Sequence, residues 1–212
     1  MSIESDDIAS SQLASAAKPK DASPDSTAAR RRKAIASELG IGHGPASWLW
    51  IRFILSLLPQ GAFSRTRALI LRAWGIKIGS GVLFLGTPVF AGDGDPRKNL
   101  VVGKGCIINW PVHFDLNGPV TIGDGVSIGH HVVVITTDHE IGKANFRAGN
   151  PVTKPVTIGS GAWIGASATI LPGVEIGSGA IVAVGSLVAG TVQPNMLVGG
   201  VPARAMRDLG AD

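Results

Sequence analysis

One cysteine, Cys106, is all the thiol the chain carries, so no intrachain disulfide framework can form. A reducing, cytoplasmic setting is the expectation. Nothing in the sequence is long and apolar enough to span a bilayer: the most apolar stretch, residues 46–58, is short and contains Arg52. Residues 1–29 are rich in Ser, Ala and Asp and lack the hydrophobic core of a secretory signal. The basic run at residues 30–33 (Arg-Arg-Arg-Lys) is followed by no aromatic-and-basic platform, which argues against nucleic acid. That run reads first as a solvated tail and second as a contact for the inner face of a membrane. Glycine is plentiful, at 29 residues, but does not recur every third position, and 45% of the chain is hydrophobic. A collagen and a disordered polymer are both excluded.

What is present is a six-residue repeat. From Val156 the chain reads VTIGSG, AWIGAS, ATILPG, VEIGSG, AIVAVG, SLVAGT. Every third position is aliphatic: Ile158, Ile164, Ile170, Ile176, Val182, Val188. Every first position is small or β-branched: Val156, Ala162, Ala168, Val174, Ala180, Ser186. The frame extends back through Val132, Val126 and Val120, and again through hexads at Val112, Cys106, Leu100, Pro88, Val82 and Ile76, with a two-residue slip before Val120. Residues 138–155 form a loop that preserves phase. A six-residue period is neither helical nor that of a simple strand. It fits a short flat strand plus a corner, three of which close a triangular coil of about 18 residues. First and third positions point inward, Cys106 among them as a packing residue. Glycine after the aliphatic residue is expected to supply a positive φ at the turn. About five coils are expected, and each can bury its core only against its neighbours.

Three regions follow. Residues 1–45 are expected to be a disordered basic tail. Residues 46–75 are expected to hold two helices, the second near 65–74. The face Trp48, Leu49, Phe53 and Leu57 is expected to cap the open end of the coil, with membrane contact as the alternative. Residues 76–212 form the coiled domain and a short C-terminal tail.

The stretches TIGDGVSIG, TTDHEIG, PVTIGSGAWIGASATILPGVEIG and VGGVPARAMRDL resemble the hexapeptide-repeat acyltransferases, and among them the sugar and polysaccharide O-acetyltransferases of galactoside, maltose and capsule type. That resemblance implies an all-β fold, a left-handed parallel β-helix, exceptional among crossover connections. It also implies a homotrimer with sites between subunits and acetyl-coenzyme A as acyl donor. The acceptor would be a hydroxyl of a sugar, polysaccharide or glycoconjugate. His139 matches the catalytic histidine, and an imidazole titrates in the range that suits proton removal near neutral pH. Asn109, Asp115 and Asn117 match positions that contact the acceptor or orient that histidine. Asn117 is an amide where the galactoside pattern has an acid, and Asp115 has corner capping as its structural alternative. Trp163 should point outward, since Ile164 points in, and matches a wall of the groove between subunits. Ala166, Val184 and Ala189 match residues along the pantetheine arm. Arg204 and Arg207 match cations near the coenzyme's phosphates. The family's Thr-Lys before the last proline turn is absent from the run Ala189–Asn195.

No Ser or Cys is placed for an acyl-enzyme, so direct attack is expected. His113, His130 and His131 suggest zinc at first sight, since γ-type carbonic anhydrases share the fold. The ligand pair those enzymes carry is not found here, and no metal is expected. A non-catalytic β-helix scaffold and an antibiotic O-acetyltransferase are the competing readings.

Overall fold

A computed structural model describes residues 47–210, with side chains from residue 50 onward. The tail, its basic run and the side chains of Trp48 and Leu49 lie outside the described residues.

Two helices, Ser47–Ser56 and Ser64–Trp74, precede a parallel β-helix. Its strands are two or three residues long, except the last on the second face, and stack into three sheets. The first face stacks Lys77–Ile78, Leu100–Val102, Val120–Ile122, Val156–Ile158 and Glu175–Ile176. The second runs from Leu83–Phe84 through Ile107–Ile108, Ser127–Ile128, Trp163–Ile164 and Ile181–Val182 to Met196–Gly200. The third runs from Val89–Ala91 through His113–Asp115, Val133–Val134 and Thr169–Ile170 to Leu187–Val188. Register places like on like. On the second face Phe84, Ile108, Ile128, Ile164, Val182 and Val198 are successive partners, all buried. Each such side chain contributes about 1.5–3 kcal/mol of burial. The first-position residues, Cys106 included, are buried as the period requires. Burial also pushes the Cys106 thiol above its ordinary pKa, consistent with packing.

The glycines obey two rules. Gly159, just after the aliphatic position, keeps φ outside the left-handed region, yet an added Cβ would lie 2.5 Å from the Ser178 nitrogen of the next coil. Close stacking at the corner, not a positive φ, demands glycine there. The positive φ falls two residues later: Gly125 has φ of 67° with open space around it.

Departures from an 18-residue coil all leave at the corner between the third and first faces. Down the first face, Lys77, Val101, Thr121, Thr157 and Glu175 are partners. The first interval holds the short helix Pro96–Asn99, capped by Asp95. The second holds the two-residue slip, and the third an antiparallel hairpin, Thr137–Ile141 with Ala148–Thr153.

Leu55, Ala68 and Leu71 join the same buried cluster as Ile76 and Val82, so the two helices cover the first coil. The face that turns inward is Ile51, Leu55 and Leu58. The expected capping face is therefore corrected: Phe53 and Leu57 are 58% and 67% exposed. The two sets lie on opposite sides of a helix with 100° between residues, and the register of Leu55 decides between them. Arg67 fastens the pair. Its side chain is fully buried, and its guanidinium donates to the carbonyls of Leu58 (2.8 Å), Pro59 (2.5 Å) and Ala62. Burial without a carboxylate lowers its pKa.

Removing that guanidinium takes a donor from three carbonyls, of which that of Pro59 keeps the Ala62 amide at 3.3 Å. Arg67→Met is expected to cost about 3 kcal/mol, or roughly 6–12 °C in melting temperature. Leu69→Ser, exposed on the same helix, should stay within about 0.5 kcal/mol. Calorimetry on both variants checks the pair.

Candidate active site

The hairpin is where the coil gives up its period, and His139 sits on its first strand, opposite Pro151. The imidazole is exposed, and its Nδ1 lies 3.0 Å from the Gly149 carbonyl oxygen. A carbonyl only accepts, so Nδ1 carries the proton in the neutral ring and the lone pair is left on Nε2. The backbone amide of His139 donates to Asp138 Oδ1 at 2.7 Å, and Asn150 Nδ2 donates to Glu140 Oε2 at 3.1 Å. A short antiparallel ladder with these side bonds holds the ring more firmly than a loop would.

The hairpin is anchored by the residues sequence placed beside it. The Asp115 carboxylate accepts from the amides of Thr137 (2.8 Å), Thr136 (3.1 Å) and Asn117 (3.1 Å). Thr136 is buried; its hydroxyl donates to the Asp115 carbonyl at 3.0 Å and accepts from Gly118 N at 2.9 Å. Asn117 Nδ2 donates to Thr137 Oγ1 at 2.8 Å, and its Oδ1 accepts from Asp93 N at 2.7 Å. Burial alone would raise the Asp115 pKa; the Thr137, Asn117 and Thr136 donors outweigh it and hold the carboxyl below the usual carboxylate range. Both Asp115 and Asn117 thus position the strand that carries His139. Thr136, Thr137 and Gly149 were not singled out by the sequence. The pair Thr136-Thr137 at the point where the hexads stop was the one available signal; the Gly149 contact depends on hairpin pairing, which the repeat does not encode.

The other expected residues lie elsewhere on the triangle. Asn109 occupies the corner between the second and third faces, where its Nδ2 donates to the Ile128 carbonyl at 2.9 Å. Trp163 stands outward on the second face, 55% exposed, between Ser127 and Ile181. Ala166 and Val184 follow at the next corner in successive coils, joined through the Gly185 amide and the Ala166 carbonyl at 2.8 Å. Ala189 and Arg204 meet at the far end of the coil, lining a cavity of about 360 Å³ with Met196 and Thr191. Arg207 is exposed on the strand Ala203–Asp208, opposite Leu197. A strand of two or three residues, at about 3.3 Å each, and its flanking corners separate the His139 corner from the Asn109 corner. Within one chain these two groups of residues therefore stand at separate corners.

His131 takes a left-handed corner conformation, φ 58°, as Ser167 (φ 59°) and Gly185 (φ 70°) do in the next two coils, and its amide donates to the Pro111 carbonyl at 2.6 Å. Among the described residues, no three His, Cys, Asp or Glu side chains are grouped to hold a metal ion.

Comparison with known proteins agrees with this geometry. The bacterial transferase hexapeptide model (six repeats) matches residues 155–190. Galactoside O-acetyltransferase of Escherichia coli K12 is 33% identical over 112 residues, 53% of this chain and 55% of that protein. The chain spans little more than half the length of the curated relatives it matches. A hexapeptide-repeat acetyltransferase from Vibrio cholerae, solved with acetyl-coenzyme A, superposes with TM-score 0.62 at 30% identity, covering 72% of this chain and 81% of that one. A galactoside acetyltransferase solved with coenzyme A superposes at 0.66 and 25% identity, covering 76% and 80%. With the repeat, the coil and a relative covered over four fifths of its length in agreement, the chain belongs to the hexapeptide-repeat acetyltransferases.

Proposed function

We propose that this protein is a coenzyme A-dependent O-acetyltransferase acting on a hydroxyl of a sugar, polysaccharide or glycoconjugate, with His139 as general base. The observation that carries the reading is the Gly149 carbonyl on Nδ1, which leaves Nε2 of an exposed, ladder-held imidazole as the proton acceptor. Nε2 takes the acceptor's hydroxyl proton as its oxygen bonds to the thioester carbonyl carbon. The same proton passes to the sulfur as the carbon–sulfur bond breaks, so no acyl-enzyme is needed. Acetyl-coenzyme A supplies the activated acyl group. The small side chain of Ala166 beside exposed Val184 leaves a corner along which a narrow pantetheine arm can lie; Ala189 lies one face away, just past the third-face strand Leu187–Val188. Exposed Arg204 and Arg207 suit its phosphates. The acceptor class rests on the relatives' names, and acceptor contacts are assigned to Asn109 and Trp163.

A homotrimer completes the site. One copy's hairpin edge faces the next copy's edge of Asn109, Trp163 and Val184, which also covers apolar surface that one chain leaves open. A scaffold protein would have no use for a histidine locked in one tautomer on a braced hairpin.

Light scattering should give a mass three times that of the chain, and a stable, fully active monomer would refute the shared site. His139→Ala should lower acceptor-dependent thiol release about 100- to 10,000-fold while melting temperature and coenzyme A protection persist. Activity within threefold of the parent would remove His139 from the base role. Asp115→Asn should lower kcat by loosening the hairpin, with KM for the acyl donor little changed. Its pH dependence has a defined sign. The folded pKa of Asp115 is depressed, so its contribution to stability is fully present above the unfolded value of about 3.9 and is lost as pH falls through the folded one. Urea unfolding at pH 6 should separate parent from Asp115→Asn, and the gap should close on acidification below pH 4.

A further inference from the structure

The helix Ser47–Ser56 is apolar on both sides, which a surface helix of a water-soluble protein does not need. Its inner side, Ile51 and Leu55 with Leu58 just beyond, is spent on covering the first coil. Its outer side carries Trp50, Phe53 and Ile54, with Leu57 just beyond its end at the spacing i, i+3, i+4, i+7, exposed by 71%, 58%, 43% and 67%. Phe63, in the turn that follows, is exposed as well. Nothing described covers these side chains.

The charge along this stretch of the sequence is of one sign. No Asp or Glu occurs from Leu39 to Gly92, whereas Arg52, Arg65, Arg67, Arg72 and Lys77 all do. Arg52 flanks the apolar strip, and Arg65 follows Phe63 by two residues; both are exposed. Farther up the sequence stand the four cations of residues 30–33.

We propose that this outer helix face docks the protein on an anionic lipid surface. A ten-residue helix is about 15 Å long, too short to cross a bilayer, and none of the described helices is long and apolar enough to do so. It has the form of a helix that lies in the interfacial plane: bulky apolar side chains on one side, with arginines at its edge whose aliphatic stems bury while their heads meet phosphate. A second copy of the chain suits the face less well. Face-to-face pairing would bring together two copies of a segment, residues 39–92, that carries Arg52 and Arg65 and no carboxylate to answer them. The inference stands apart from the acyl-transfer reading, because none of these residues belongs to the proposed site.

The full chain is tested by co-sedimentation with vesicles of phosphatidylcholine and phosphatidylglycerol, and with pure phosphatidylcholine. Binding is expected to the anionic vesicles only, and to weaken as salt rises. The double variant Phe53→Ser, Leu57→Ser should bind at least tenfold more weakly, with a melting temperature within about 2 °C of the parent because both residues are exposed. Arg52→Gln with Arg65→Gln should also weaken binding and leave acyl transfer to a soluble acceptor unchanged. Failure of the parent to sediment would overturn the proposal, as would equal binding by the Ser variant, which would mark the basic tail as the lipid contact. Loss of oligomer mass in the Ser variant with vesicle binding intact would also overturn it, assigning the face to contact between copies.

Discussion

Strands stacked in parallel register about 4.8 Å apart impose the constraint from which the rest of this structure follows. A residue on one coil sits directly over its equivalent on the next, so each inward position becomes a column. Ile122, Ile158 and Ile176 form such a column on the first face. A column tolerates no shift, since a single-residue slip would turn every buried side chain outward. Extra residues can leave only at corners and must return in phase. The short helix, the two-residue widening and the hairpin all obey this rule, and all three use the same corner.

That shared corner explains how a site is built on so regular a scaffold. Where the coil widens by two residues, Asp115 and Asn117 gain the freedom to reach the next coil, and they use it to hold Thr136 and Thr137. The hairpin then starts from a fixed base and places His139 away from the coil in a set tautomer. The Asp115 charge is answered by backbone amides rather than by a cation, so the brace is directional and sits within the fold itself. Because the hairpin leaves from one corner while Asn109, Ala166 and Val184 sit at another, the geometry of a triangle separates the proposed base from the proposed binding wall within a chain.

Much of this was legible in the sequence, for a physical reason: columns write themselves into the chain as periodicity. The inward residues, the outward set of Trp163, the phase kept across the hairpin and the widening before Val120 all follow from counting sixes. What the period could not convey lies wherever contacts leave the coil. The glycine after each aliphatic residue reads like a turn signal, but its cause is the backbone of the next coil, as Gly159 against Ser178 shows. The helix Ser47–Ser56 is apolar on both sides, so its hydrophobic pattern alone did not reveal which side turns inward, and Leu55 rather than Phe53 does so. The Gly149 contact to His139 arises from hairpin pairing, for which residues 137–153 carry no repeat.

The two ends of the solenoid are closed by different means, and the difference bears on the site. At the first coil a pair of helices, locked by Arg67, covers the core. At the last, the chain turns back so that Ala203–Asp208 lies antiparallel to Met196–Gly200. A returning strand caps the edge of the second face, which would otherwise present unpaired amides and carbonyls. It also carries Arg204 and Arg207 back along the face that bears Trp163. The cations proposed to meet the coenzyme's phosphates are thereby supplied by the element that ends the stack. Removing this strand would open the core at Val198 and take away both arginines in one step, so at this end closure of the fold and the proposed phosphate contact rest on the same six residues.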